Sequence, residues 1–253
     1  MRYKLISCEV MFREMCAALA RSPHQIDVEF CSKGLHDLGG NAMREKLQEL
    51  IDKVDPAQYD AILLGYALCG NGIQGLATRN VPLVVPRAHD CIALLMGSRQ
   101  RYQEYFENNS GVYFRSTGWL ERGGTLEQVG NRVMSNKGVN YNLQDLIEQY
   151  GEDNGRFLYE QFTQFQKHYR QLTFIETGIE ADDHFENMAR EEATRRGWTF
   201  EKIRGDLSLF ERLLSGEWLE NDFLVVPKGF RIKASYGENI IELEEYEEQS
   251  DPS

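Results

Sequence analysis

Ala61-Ile62-Leu63-Leu64-Gly65 is an unbroken apolar run, and Tyr66-Ala67-Leu68-Cys69-Gly70-Asn71-Gly72 follows it directly. Five consecutive apolar residues cannot alternate between a wet and a dry face. The run therefore reads as a strand buried on both sides, as in a parallel sheet covered by helices. The same grammar recurs upstream, where Lys4–Cys8 and Ile26–Cys31 read as strands and Val10–Ala20 and Asn41–Val54 as amphipathic helices. Downstream, Val81–Val85 is a further strand closed by Pro86, and a long amphipathic stretch runs from Ile92 towards Phe106. Strands alternating with helices predict an α/β chain with a parallel, Rossmann-like sheet and right-handed crossovers.

Between Gly118 and Tyr169 the pattern turns helical and polar, divided by Gly123, Gly124, Gly130, Gly138, Gly151 and Gly155. The alternation then resumes with strands at Leu172–Glu176, Trp198–Ile203 and Phe223–Val226, and helices at Asp182–Arg196 and Leu207–Leu214. Phe230–Glu244 predicts an edge hairpin turning at Tyr236-Gly237-Glu238-Asn239, before an acidic tail. These runs predict an N-terminal α/β lobe over 1–117, a helical connector over 118–170 and a C-terminal α/β lobe over 171–253. A cleft is expected between the two lobes.

With 253 residues, 42% of them hydrophobic, the chain can bury a sizeable core. Its 40 acidic and 28 basic residues give a net charge of −12, and Lys and Arg are nowhere clustered. Non-specific binding to nucleic acid or to an anionic membrane is not expected on that ground, since both need clustered cations. No stretch approaches the roughly 20 apolar residues of a membrane span. The opening Met1-Arg2-Tyr3-Lys4-Leu5-Ile6-Ser7-Cys8-Glu9 is charged too early and too often for a secretory signal. A reducing cytoplasmic setting is expected, with the five cysteines acting as thiols or ligands.

The chemistry lies at the strand ends. Cys8 ends the first strand, His36 and Asp37 follow the second, Cys69 follows the third, and His89, Asp90 and Cys91 follow the fourth. In an open parallel sheet these positions share one edge, where ligands bind. Thiols and imidazoles together suit zinc, which takes thiolate and imidazole ligands tetrahedrally and keeps a position open when it is catalytic. Cys8, Cys69, His89 and Cys91 are the expected metal ligands, with His36 and Asp37 as acid–base or orienting groups. There is no CxxC pair, so the case rests on strand-end placement. Three cysteines also suit an iron–sulfur cluster with one iron lacking a cysteine ligand. Cys16 and Cys31 are assigned to the core, because free cysteine is among the most buried residue types. Asp90 either orients the His89 ring or caps the helix beginning at Cys91.

Gly70, Asn71 and Gly72, ahead of an expected helix, suit an anionic group near backbone N–H donors; an ordinary strand-to-helix turn is the other reading. In the second half, Glu176-Thr177-Gly178, Gly205-Asp206 and Pro227-Lys228-Gly229 follow the strands. Glu176, Asp206 and Lys228 are expected to hold a small-molecule ligand across the cleft. Asp206 also reads as a helix cap, and Lys228 and Arg87 as partners for a carboxylate or phosphate.

The segments Cys8-Glu9, Phe12-Arg13-Glu14, Gly34-Leu35-His36-Asp37, Leu64-Gly65-Tyr66 and Leu68-Cys69-Gly70-Asn71-Gly72 form a recognisable series. It continues through Pro86-Arg87, His89-Asp90-Cys91-Ile92, Gly118-Trp119, Glu176-Thr177-Gly178, Gly205-Asp206-Leu207-Ser208-Leu209 and Gly216-Glu217-Trp218. The series resembles an uncharacterised bacterial and archaeal family, the domain of unknown function sixteen-thirty-eight, over nearly the whole chain. Ala67 departs from the pattern, standing where glycine is expected. Members of the family are often encoded near corrinoid-dependent methyltransferases and their activating proteins. The resemblance therefore implies one-carbon or methyl-transfer metabolism, with a small thiol, a methylated compound or a corrinoid as ligand. It leaves two roles open: an enzyme, or a metal or corrinoid carrier serving a corrinoid protein or methyltransferase. In the second role a rim histidine would be an axial ligand to cobalt.

Overall fold

The computed structural model describes residues 1–37, 40–109, 111–122, 133–134, 140–141, 144, 147–148, 151–156, 169–235, 237 and 239–246. β1 (Arg2–Cys8) and β3 (Ala61–Gly65) lie side by side and parallel, and every residue of β3 is buried. β2 (Gln25–Cys31) adds to the other edge of β1, and β4 (Leu83–Pro86) adds to β3, both parallel. The first sheet is completed by β10 (Phe223–Val226), antiparallel on β4, in the order β10-β4-β3-β1-β2. The chain steps from β1 to β2 on one side and then to β3 on the other. The strand order thus reverses at β1, and the crevice of a doubly wound sheet opens beyond the carboxyl ends of β1 and β3.

A 3-10 turn (Glu9–Met11) and α1 (Phe12–Leu19) follow β1; α2 (Gly34–Asp37) and α3 (Gly40–Asp52) follow β2. Met43, Leu47 and Ile51, spaced by four residues, form the buried stripe of α3. The single amphipathic stretch expected after β4 is two helices, α4 (Cys91–Leu95) and α5 (Arg99–Asn108). Asp90 caps the first and Ser98 the second, so the capping side chains set the break.

The second sheet holds β5 (Val112–Ser116), β8 (Gln171–Glu176) and β9 (Thr199–Arg204), all parallel. Between β5 and β8 come α6 (Thr117–Glu121) and the short antiparallel pair β6 (Val133–Met134) and β7 (Asn140–Tyr141). Most of the expected connector lies outside the described residues. α7 (His184–Arg196) follows β8, and α8 (Ser208–Ser215) follows β9. β11 (Phe230–Ala234) and β12 (Ile241–Glu245) form the expected hairpin as a sheet of their own, bridged to Ala77 through Arg231. Tyr236 and Glu238 of its turn lie outside the described residues.

The expected division at 117 and 171 does not follow the sheets. β5 precedes the connector yet pairs with β8, and β10 follows β9 yet pairs with β4. β5 escapes a pattern search because Arg115 interrupts it; the side chain is buried in an ion pair with Glu192, 2.9 Å away and itself buried. The Phe223–Val226 run encodes its own burial but not the strand it will join.

The carboxyl ends of the two sheets touch. Gly118, just after β5, packs so closely that a Cβ there would stand 1.7 Å from the Val10 carbonyl oxygen, just after β1. The Asp206 amide, after β9, donates to the Leu95 carbonyl at 2.9 Å. No helix among the described residues is long and apolar enough to cross a membrane.

Candidate functional site

Cys8 ends β1 fully buried, and α2 carries His36 back over it, with Nε2 3.5 Å from the Cys8 Sγ. The His36 ring stacks on Tyr66, the first residue after β3, with centroids 6.0 Å apart. Cys31 ends β2 in register with Cys8 across the strand pair. Its thiol lies against the buried Tyr66 hydroxyl, which makes no hydrogen bond of good geometry among the described residues. Backbone pairing continues past the strands: the Leu68 amide donates to the Ala88 carbonyl and the Cys69 amide to the His89 carbonyl, each at 2.9 Å. That pairing holds the exits of β3 and β4 together. The sulfurs lie within electrostatic reach of one another: a thiolate at Cys69 or Cys8 would raise Cys91, one at Cys8 would raise Cys69, and one at Cys31 would raise Cys8. From the second sheet, the Trp119 indole N–H donates to the Cys91 Sγ at 3.2 Å. The Lys33 ammonium lies 5.9 Å from the centre of the Trp119 ring.

The thiols are neutral. Burial pushes Cys8 and Cys69 up to about 12, and burial reinforced by Asp90 pushes Cys91 well above the ordinary thiol range. Anything that binds here as a thiolate ligand must displace the protons, and its own positive charge has to offset the cost of burying the thiolates.

Cys69, Gly70 and Asn71 all adopt left-handed backbone, with φ of 46°, 63° and 69°. Single left-handed residues are ordinary, but a run that includes a cysteine stores strain of the kind that accumulates at functional sites. The run closes through the Gly72 amide, which donates to the Leu68 carbonyl at 2.9 Å. It also corrects an expectation: residues 69–75 are successive turns, and no helix begins after Gly72. Gly70, Asn71 and Gly72 consequently offer no helix N-terminus to an anion.

The other expected residues are dispersed. His89 is exposed and borders a hollow of about 770 Å³ with Tyr102 and Phe106. Its carbonyl is turned to Cys69, but its ring is not among the thiols. Asp90 caps α4 through the Ile92 and Ala93 amides at 3.0 and 3.2 Å, and it accepts the Tyr102 hydroxyl at 2.9 Å. The capping reading holds. Asp37 ends α2, but its side chain lies outside the described residues. Glu176 accepts from Lys202 at 3.0 Å, and Asp206 accepts the Ser208 amide at 2.8 Å. Lys228 is a correction. Because β10 runs antiparallel to β4, with Val226 opposite Leu83, Lys228 lies at the edge opposite the thiols. Arg87 is spent on the carbonyls of Glu220, Phe223, Asn239 and Ile241.

Among the described residues, no three His, Cys, Asp or Glu side chains stand together at a spacing that holds a metal ion. The contacts add Cys31, Tyr66 and Trp119 to the cluster. Cys31 was legible as a second cysteine ending a strand, exactly parallel in position to Cys8, whereas Trp119 arrives through space from the other sheet with no local signal.

A family model described as "Protein of unknown function (DUF1638)" matches residues 30–214, well over half of the chain. The chain belongs to that family. The DUF1638 match takes in Cys31, His36, Cys69, Cys91 and Trp119; Cys8 precedes it and Lys228 follows it. No curated protein and no solved structure matches the chain.

Proposed function

We propose that the cluster beyond β1, β2, β3 and β4 is a thiolate site for one borderline-soft metal ion, zinc first. Cys8, Cys69 and Cys91 are the thiolate donors, and His36, against Cys8, is the imidazole of the site in place of His89. The observation that carries the reading is the 3.5 Å contact of His36 Nε2 with Cys8 Sγ, at the point where the strand order reverses. Thiols packed as neutral groups do not present ligand geometry, so loading requires them to lose protons and turn towards a common centre. In this reading the two sheets act as two lobes, and Trp119 supplies the wall that the second contributes.

Cys8, Cys69 and Cys91 would hold such an ion, which with its fourth position left open would supply Lewis-acid chemistry towards a bound thiol or water. With the family resemblance, the ligand class is a small thiol, a methylated compound or a corrinoid of one-carbon metabolism. His36 holds or moves a proton at the Cys8 sulfur, or fills the fourth position. One observation favours a carrier role instead: the exposed His89 borders a large hollow with Tyr102 and Phe106, and would be the residue to hold a bulky group there.

Elemental analysis with an absorption spectrum, on protein purified without added metal and without air, tests the reading. About one zinc per chain and no visible colour is the expected result. A brown cluster spectrum would move the site to iron–sulfur chemistry, a red one to a corrinoid, and protein that neither contains nor takes up metal would end the proposal.

A further inference from the structure

Apart from the thiols, the carboxyl ends of β8 and β9 open into a second hollow, of about 470 Å³. Three guanidinium groups line it: Arg21 beyond α1, Arg101 on α5 and Arg204 at the end of β9. Against the two carboxylates that line it with them, Asp206 and Glu211, they leave one positive charge in excess, in a chain of net charge −12. Both carboxylates are engaged: Asp206 accepts the Ser208 amide at 2.8 Å, and Glu211 accepts from Arg21 at 2.7 Å. Arg101 is held in place by the carbonyls of Met96 and Arg204. The Arg204 guanidinium is exposed and makes no hydrogen bond or ion pair among the described residues. Thr177 and Gly178 also line it, and their amides donate to Glu180 at 3.0 and 2.7 Å.

We propose that this hollow binds the oxyanion end, phosphoryl or carboxylate, of a small molecule, with Arg204 as the principal contact and Arg101 beside it. A guanidinium presents a planar fork of donors that matches both groups, and parallel strands place their ligands at this edge. None of this depends on the thiol site, and loss of either leaves the other standing.

Calorimetric titration of the whole chain at low ionic strength, with inorganic phosphate and separately with acetate, is the test. Saturable binding of one anion is expected, weakened at least tenfold in Arg204→Gln and unchanged in Arg231→Gln, whose side chain pairs with Glu244 elsewhere. Phosphate binding without acetate binding assigns the site to phosphoryl groups, and the reverse to carboxylates. The unfolding midpoint of Arg204→Gln should match that of the parent, since the side chain is exposed. Absence of saturable binding for both anions, or binding that ignores Arg204→Gln, would overturn the proposal.

Discussion

The Trp119 indole N–H donates to the Cys91 sulfur at 3.2 Å, which ties the residue turn after β5 in the second sheet to the one after β4 in the first. The contact makes Trp119 a reporter of Cys91. Zinc added to the protein is expected to change tryptophan emission, and Trp119→Phe should abolish that change. Trp198 lies in the separate cluster around Phe174, and Trp218 donates to the Leu213 carbonyl, so neither should respond. A zinc-dependent signal that persists in Trp119→Phe would place the ion elsewhere.

Glu14 should make stability fall as pH rises. Its carboxyl is buried at the contact between the sheets, with Oε2 lacking a hydrogen-bond partner and Oε1 3.5 Å from the Thr177 hydroxyl. Burial pushes it up to about 7 from an ordinary 4.5; Glu180 adds to that push, while Thr177 and Arg13 oppose it. The folded state thus keeps a proton that the unfolded state gives up. The stabilisation is complete below about pH 4.5, is lost progressively up to about pH 7 and stays lost above, about 3 kcal/mol in all. Glu14→Gln should remove that slope and be more stable than the parent at pH 8 in urea unfolding. Parallel stability–pH curves for parent and variant would contradict this.

Gly118→Ala should destabilise the protein by about 3 kcal/mol, because the added methyl meets backbone, which cannot rotate away. A urea midpoint equal to the parent's would show that the two sheets do not meet as closely as described.

What the sequence reveals of this fold is burial and period, and what it conceals is partnership. Ala61–Gly65 and Phe223–Val226 are strands with the bounds their apolar runs imply, but only β3 has the parallel neighbours expected of it. The placement of Cys8, Cys69 and Cys91 near one edge followed from the alternation of strands and helices. The choice between His36 and His89 did not. Both follow strands, and the difference arises because the His89 backbone is used to pair with Cys69 while its ring faces out. Lys228 was misplaced for a related reason: the direction of a strand is not written in its composition.

Arg115 illustrates the same point energetically. Without it the buried Glu192 keeps only Arg196, 3.2 Å away, so Arg115→Met should destabilise the protein, by less than the roughly 3–5 kcal/mol of a wholly uncompensated buried charge. Arg115→Met combined with Glu192→Leu should recover part of that loss. A single variant as stable as the parent in urea would contradict the buried pairing.

Zinc titration at neutral pH, with bound metal and released protons counted together, tests the thiol site most directly. Neutral thiols at Cys8, Cys69 and Cys91 predict about one zinc per chain and about three protons released for each ion bound. Cys69→Ser/Cys91→Ser should lose nearly all of the zinc and of the proton release while keeping the parent's fold. Full zinc binding in that double variant, or a parent that binds zinc without releasing protons, would contradict a thiolate site at the ends of these strands.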